Sequence, residues 1–216
     1  MKAPHIFWQR PVGPLGCNCY IVGDEIDRSA LVVDPGGDVE TIQEAIAGSG
    51  LRIEAIVATH AHFDHVIAAE ALRAATGAPF FLHAGDKPLL EWVQESGRLF
   101  LGIELPPPPD IDSEAREDEV LRTGEVGLRI VHTPGHSPGS ISLVGDGLVF
   151  AGDTLFAGSV GRSDLPGGDG DALVKAVHAK LFTLDDGTVV YPGHGPATTI
   201  GEEKRSNPFV GLGRGL

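Results

Sequence analysis

The chain has 216 residues, 42% hydrophobic and 21% charged, an ordinary balance for a soluble globular protein with room for a sizeable core. Its formal net charge of −14 argues against a nucleic-acid backbone or an anionic membrane surface as partner, and no basic run offsets it. The first ten residues lack the apolar core of a signal peptide and no stretch reaches membrane-span length, so a cytoplasmic protein is expected.

The two cysteines, Cys17 and Cys19, come first. A disulfide across one residue would be badly strained, and the spacing matches neither a thioredoxin nor a zinc-ribbon signature. Reduced, partly buried strand residues are expected. Segments 19–23 and 30–33 flank a polar turn and read as a hairpin, which stops at Asp34-Pro35-Gly36-Gly37. Asp34 sits at a strand end. It is either a plain turn aspartate or a carboxylate that orients a ligand histidine from behind. A helix over 39–47, a strand over 53–58, a helix over 66–76, a strand over 79–83 and a helix over 86–101 follow. This βαβαβ rhythm implies parallel strands covered by helices. Four prolines at 106–109 and the acidic run 110–119 then break the pattern and read as a solvated loop. That run lacks the ligand spacing and central glycine of a calcium loop.

Between strand 53–58 and the next helix lies Thr59-His60-Ala61-His62-Phe63-Asp64-His65. The end of a strand is where open α/β sheets place their ligand crevices. If the chain stays extended through His62, then His60 and His62 point the same way, while Asp64 and His65 fall at the helix start and aim elsewhere. One segment thus offers two pairs of ligands to two neighbouring ions. Buried without a cation, so many imidazole and carboxylate groups would carry a heavy desolvation cost.

The second half reads as short strands at 120–121, 128–131, 141–144 and 148–151, a helix over 171–182 and a strand over 188–191. Gly145-Asp146-Gly147 is a tight hairpin turn. Three strand ends repeat one pattern: an apolar run, a glycine-flanked turn, then one polar group. They deliver His136, Asp153 and His194. His132 stands four residues before His136, but Pro134 and Gly135 forbid the helix that would align the two. His5, His83 and His178 stay outside the set as well.

His60, His62, Asp64, His65, His136, Asp153 and His194 are all nitrogen or oxygen donors, which suits zinc, iron or manganese. Seven ligands are too many for one ion and suit two if one carboxylate bridges. A water between two cations is an activated hydroxide at neutral pH, and the metals polarise a carbonyl. That is hydrolysis without a serine or cysteine nucleophile, and no Gly-x-Ser-x-Gly elbow competes with it.

These residues carry a resemblance. His60 to His65 match the His-x-His-x-Asp-His signature of the metallo-β-lactamase superfamily, and His136, Asp153 and His194 match its downstream ligands. The resemblance spans essentially the whole chain. It implies a four-layer αβ/βα sandwich, with 1–216 as a single domain and the metals in one edge cleft. It also implies that His60, His62 and His136 hold the first metal, that Asp64, His65 and His194 hold the second, and that Asp153 bridges. Two divalent ions are expected, zinc foremost, with iron and manganese as alternatives.

Within the superfamily, Gly152-Asp153-Thr154-Leu155-Phe156 and Gly161-Arg162-Ser163-Asp164 are similar to the glyoxalase II group, the hydroxyacylglutathione hydrolases. The ending Pro192-Gly193-His194-Gly195-Pro196 with Asn207-Pro208-Phe209 resembles its short bacterial type, without the C-terminal helical domain that helps longer members hold glutathione. The implied reaction is attack of metal-bound hydroxide on a thioester such as S-lactoylglutathione, with Asp64 helping to position it. Arg162 is a candidate for a substrate anion, since its fork suits carboxylate or phosphate, and a surface pair with Asp164 or Asp169 is its bland alternative. A small-molecule substrate is expected, with neither nucleic acid nor membrane as partner. A lactonase and a mononuclear-iron persulfide dioxygenase of the same superfamily are the competing readings, followed by a non-catalytic binding protein. β-Lactamases with a cysteine ligand would need Cys where this chain has Asp153.

Overall fold

The computed structural model describes residues 2–213. Two six-stranded sheets lie at its centre. The first sheet takes its strands in chain order: β1 (His5–Val12), β2 (Cys17–Asp24), β3 (Ser29–Val33), β4 (Arg52–Val57), β5 (Phe80–Leu82) and β6 (Ser113–Glu114). β1, β2 and β3 pair antiparallel, and from β3 onward every pairing is parallel. The parallel part follows the βαβαβ expectation. Its crossovers contain α1 (Val39–Ser49), then α2 (Phe63–Val66) with α3 (Ala69–Thr76), then α4 (Lys87–Glu91) with α5 (Val93–Leu101).

The second half supplies β7 (Val120–Thr123), β8 (Val126–His132), β9 (Ile141–Gly145) and β10 (Leu148–Gly152). A small hairpin of β11 (Leu155–Phe156) and β12 (Ser159–Val160) follows, then α6 (Gly170–Ala176), β13 (Val189–Pro192), β14 (Thr198–Thr199) and α7 (Ile200–Ser206). The second sheet runs β14-β13-β10-β9-β8-β7, and β13 joins β10 in parallel.

Strand alternation sorts the apolar residues into three cores. Leu31 and Val33 of β3 turn inward with Tyr20 and Val22, against Leu128, Ile130, Leu143 and Phe150 of the second sheet. Ala30 and Val32 turn the other way, under Ile42 of α1 and Leu72 of α3. On the far side, Val149, Ala151 and Val190 pack beneath Leu173, Val177 and Ile200. Helices, sheet, sheet, helices: this is the four-layer αβ/βα sandwich.

The elements depart from the sequence reading in places. β1 uses residues in which sequence pattern showed no strand, and a register shift between Ile6 and Trp8 explains the broken alternation. The helix expected over 86–101 is split at Trp92, whose ψ of −1° interrupts it between α4 and α5. The helix expected over 171–182 passes from α6 into a π-helical turn at Val177–Leu181. The acidic run contributes β6 at the sheet edge. Among the described residues, no helix is long and apolar enough to cross a membrane.

Candidate metal centre

The seven singled-out side chains lie at one edge of the sandwich, where four strands end. His60 and His62 follow β4, Asp64 and His65 occupy the first turn of α2, and His136, Asp153 and His194 follow β8, β10 and β13. His62 is extended, with φ −65° and ψ 143°, before the chain turns into α2. His60 and His62 therefore face one point, as strand periodicity requires, while Asp64 and His65 leave from the helix, the His65 ring lying 4.0 Å from that of His60.

Three imidazoles converge first. Nε2 of His60 lies 3.1 Å from Nδ1 of His62 and 3.2 Å from Nε2 of His136, and the latter two rings approach to 2.9 Å. Their tautomers follow from what stands behind them. His136 Nδ1 is 2.7 Å from the carbonyl oxygen of Arg162, so that nitrogen carries the proton and Nε2 is bare. Thr59 Oγ1 donates to Asp34 Oδ2 and sits 3.2 Å from His60 Nδ1, so it accepts there and leaves His60 Nε2 bare too. Two lone pairs thus face each other across 3.2 Å. A cation between them removes that repulsion.

The second group repeats the logic with carboxylates. His65 Nδ1 meets Asp34 Oδ2 at 3.1 Å, which leaves Nε2 facing Asp153 Oδ1 at 3.5 Å and Asp64 Oδ2 at 3.8 Å. His194 Nε2 lies 3.2 Å from Asp64 Oδ2 and 3.8 Å from Asp153 Oδ2. Buried His65 Nε2 and Asp153 Oδ1 have no hydrogen-bond partner among the described residues. Orphaned buried polar atoms of this kind call for an ion. Asp153 stands between the groups, its Oδ2 being 3.6 Å from His136 Nε2. The donor set fits divalent metals bound through nitrogen and oxygen.

The charge balance agrees with this geometry at the first group. At the second, His65 and His194 are raised against the pull of burial, His65 foremost by Cys17 and Asp153 and His194 by Asp64 and Asp153, carboxylates that a cation would offset. Burial, then the neighbouring His136, pushes the His62 imidazole down to about 3, so it is neutral at physiological pH and has a lone pair to offer. Burial and the other rings likewise depress His60. Burial would raise Asp64, but His65 and His194 hold its carboxyl down to about 2.

The residues match a known pattern along most of the chain. The family model described as the metallo-beta-lactamase superfamily matches residues 12–194. The chain belongs to this superfamily. Hydroxyacylglutathione hydrolase GloC of Haemophilus influenzae is 36% identical over 209 residues, which cover 93% of this chain and 95% of GloC. Among solved structures, BLEG-1 B3 metallo-beta-lactamase superposes with a TM-score of 0.88 at 37% identity, covering 94% of this chain and 98% of that one. TTHA1623 in a di-iron-bound form superposes at 0.86 with 40% identity, covering 94% and 99%.

Several supports of this metallo-β-lactamase-type centre stand outside the seven. Asp34, at a φ of +52°, governs His65 directly and His60 through Thr59, and its other oxygen accepts from the Thr59 backbone N–H at 2.6 Å. Its place at a strand end left this role and that of a plain turn aspartate both open in the sequence. Asp86 did not stand out. Fully buried, it accepts from Ala61 N at 2.9 Å, Ser137 Oγ at 2.7 Å and Gly139 N at 2.5 Å, tying the His60–His62 segment to the His136 turn. Nothing in its sequence setting distinguishes it from a helix-start aspartate. Asn18 N and Nδ2 and the Tyr20 hydroxyl hold the backbone around His194 through the carbonyls of Gly193, Pro192 and Gly195. A Cβ on Gly193 would stand 2.2 Å from Asp153 Oδ1, so only glycine lets that strand end reach the carboxylate. Both cysteines are reduced and buried, and Cys17 Sγ lies 3.4 Å from His65 Nδ1, behind the ligand face.

The centre forms the floor of a cavity of about 480 Å³. Arg162 reaches this cavity, but its guanidinium makes two bonds to Asp164, at 2.7 and 2.9 Å, on an exposed loop. The arginine sequence reasoning chose for its side chain contributes its backbone carbonyl to the centre, through His136.

Proposed function

We propose that this chain is a dinuclear metal-dependent hydrolase of thioesters. His60, His62 and His136 would hold one ion, Asp64, His65 and His194 the other, and Asp153 both. The observation that carries this reading is the position of Asp153, within 3.5–3.8 Å of His65, His136 and His194 at once. Bound there, divalent ions supply Lewis acidity and acidify water.

The chain's own residues do the rest. Asp34, Thr59 and the Arg162 carbonyl accept from the rear nitrogens of His65, His60 and His136 and so aim the other ring nitrogens at the centre. Asp64 is ionised and lines the cavity, so it can orient an attacking water as a hydrogen-bond acceptor.

The likeness to GloC supports a thioester and makes S-lactoylglutathione the reference substrate. Zinc leads for the resident ions, and the likeness to di-iron TTHA1623 supports iron beside it. The test compares metal-replete protein with the same preparation stripped by chelator, metal content being measured on both. Saturable, metal-dependent thioester turnover is expected. Two ions per chain with no turnover of any thioester would sink the thioester assignment, and a cephalosporin assayed alongside covers the likeness to BLEG-1. One bound iron and oxygen uptake with glutathione persulfide would replace hydrolysis by dioxygenation.

A further inference from the structure

The cavity above the metal floor has a composition of its own. Its wall is built by Leu15, Phe63, Leu89, Trp92, Phe100 and Phe156. Three of these form an aromatic panel: Phe63 and Phe100 stack at 6.4 Å, and Trp92 meets Phe100 edge-on at 6.1 Å. The panel is attached to the centre, because Phe63 sits between His62 and Asp64 in the chain. On the other side, the Phe156 ring lies 6.4 Å from that of His194. Leu15 and Phe100 are each 51% exposed although they line the cavity. Apolar surface of this kind remains in water until a ligand covers it.

Charge points the same way. Apart from His62, Asp64, His136, Asp153 and His194 on its floor, the polar side chains among the described residues lining the cavity are Ser96 and Arg162, and Arg162 already has its carboxylate. Glutathione would bring two carboxylates and an ammonium group toward a chain of net charge −14. Against leucine and aromatic surface, those groups would lose hydration without gaining counter-charges. A hydrocarbon acyl group would lose nothing and bury its methylenes.

We infer that this cavity selects thioesters with a hydrocarbon acyl group on an uncharged thiol and discriminates against glutathione as the carrier. The inference rests on the thioesterase reading above and specifies its substrate class.

The test uses metal-replete protein and a series of N-acetylcysteamine thioesters from acetyl to octanoyl, with hexanoylglutathione and S-lactoylglutathione beside them. The expected result is a kcat/KM that rises by about two- to fourfold per methylene. Hexanoyl-N-acetylcysteamine should exceed hexanoylglutathione by about tenfold or more. A flat or falling series, or preference for the glutathione carrier, would overturn the inference while the retained turnover left the thioesterase reading standing. If no thioester is turned over, the thioesterase reading falls instead, and binding of two non-hydrolysable thioethers decides the inference. Tighter binding of S-hexyl-N-acetylcysteamine than of S-hexylglutathione, measured by calorimetry, supports it, and the reverse order sinks it. Phe100→Ala and Leu15→Ser, both at half-exposed positions that the fold tolerates, should flatten the chain-length series. An unchanged slope in both variants would remove these residues from the wall's function.

Discussion

The polar floor of the cavity, lined by His62, Asp64, His136, Asp153 and His194 with His60 and His65 buried beneath them, comes from four turns that the two sheets bring together, whereas much of its apolar wall comes from the helices between β5 and β6 and from the turn before β2. Three of the seven side chains have a partner behind them. Asp34, Thr59 and the carbonyl of Arg162 hold three of the rings by hydrogen bonds, and glycines admit the backbone where a side chain would collide. The wall is held only by packing: Trp92 at the break between two short helices, Phe100 and Leu15 half in water. The difference assigns reactivity to a rigid, over-determined set and selectivity to a set that can vary without disturbing it. Floor variants should therefore lower turnover of every substrate alike, and wall variants should change the ratio between substrates.

The sharpest way to break this division is His136→Ala. It removes one of three converging nitrogens and leaves His60 and His62 with an incomplete site. Activity toward polar and apolar thioesters is expected to fall together, by more than the roughly 10–100-fold typical of a supporting residue. Metal analysis should show about one equivalent lost. A variant that kept its metal and discriminated differently between acyl groups would mean that His136 belongs to the wall.

Asp34→Asn is next in size. Asparagine tolerates the left-handed backbone at this position, so the turn should survive. Its amide nitrogen, however, can turn toward His65 Nδ1, which moves that ring's proton to Nε2, the atom facing Asp64 and Asp153. Metal affinity is expected to drop about 10–100-fold, with activity recovering as metal is added in excess. Unaltered affinity would show that the tautomer of His65 is set elsewhere.

The same division explains what was legible in the sequence. His60 to His65 stand close in the chain, and His136, Asp153 and His194 each follow an apolar strand and a glycine turn, so local pattern singled out these residues, and the resemblance they carry implied the αβ/βα layers. Asp34 was half legible, through its place at a strand end. The wall was not. Leu15, Leu89, Trp92 and Phe100 are apolar residues on a turn and two helices, and only the fold tells which of them leave the core for the cavity. Asp86 stayed hidden for a related reason, because all three of its partners are remote in sequence. The break at Trp92 and the strand β1 depend on tertiary pairing and packing, which override periodicity.

Arg162 tests the boundary between the two regions, and its effect should be the smallest. Its side chain is 61% exposed and bound at two points by Asp164, a solvent-screened surface pair of the kind that contributes little to stability. To hold a substrate carboxylate it would have to give up that partner in the presence of solvent. Its backbone carbonyl, by contrast, accepts the His136 Nδ1 proton whatever side chain the residue carries. Arg162→Ala is therefore expected to keep full metal content and to lower kcat/KM for S-lactoylglutathione by less than about threefold, with a still smaller effect on uncharged thioesters. A tenfold rise in KM confined to anionic substrates would overturn this. It would make Arg162 an anion site after all, and the wall less neutral than its lining suggests.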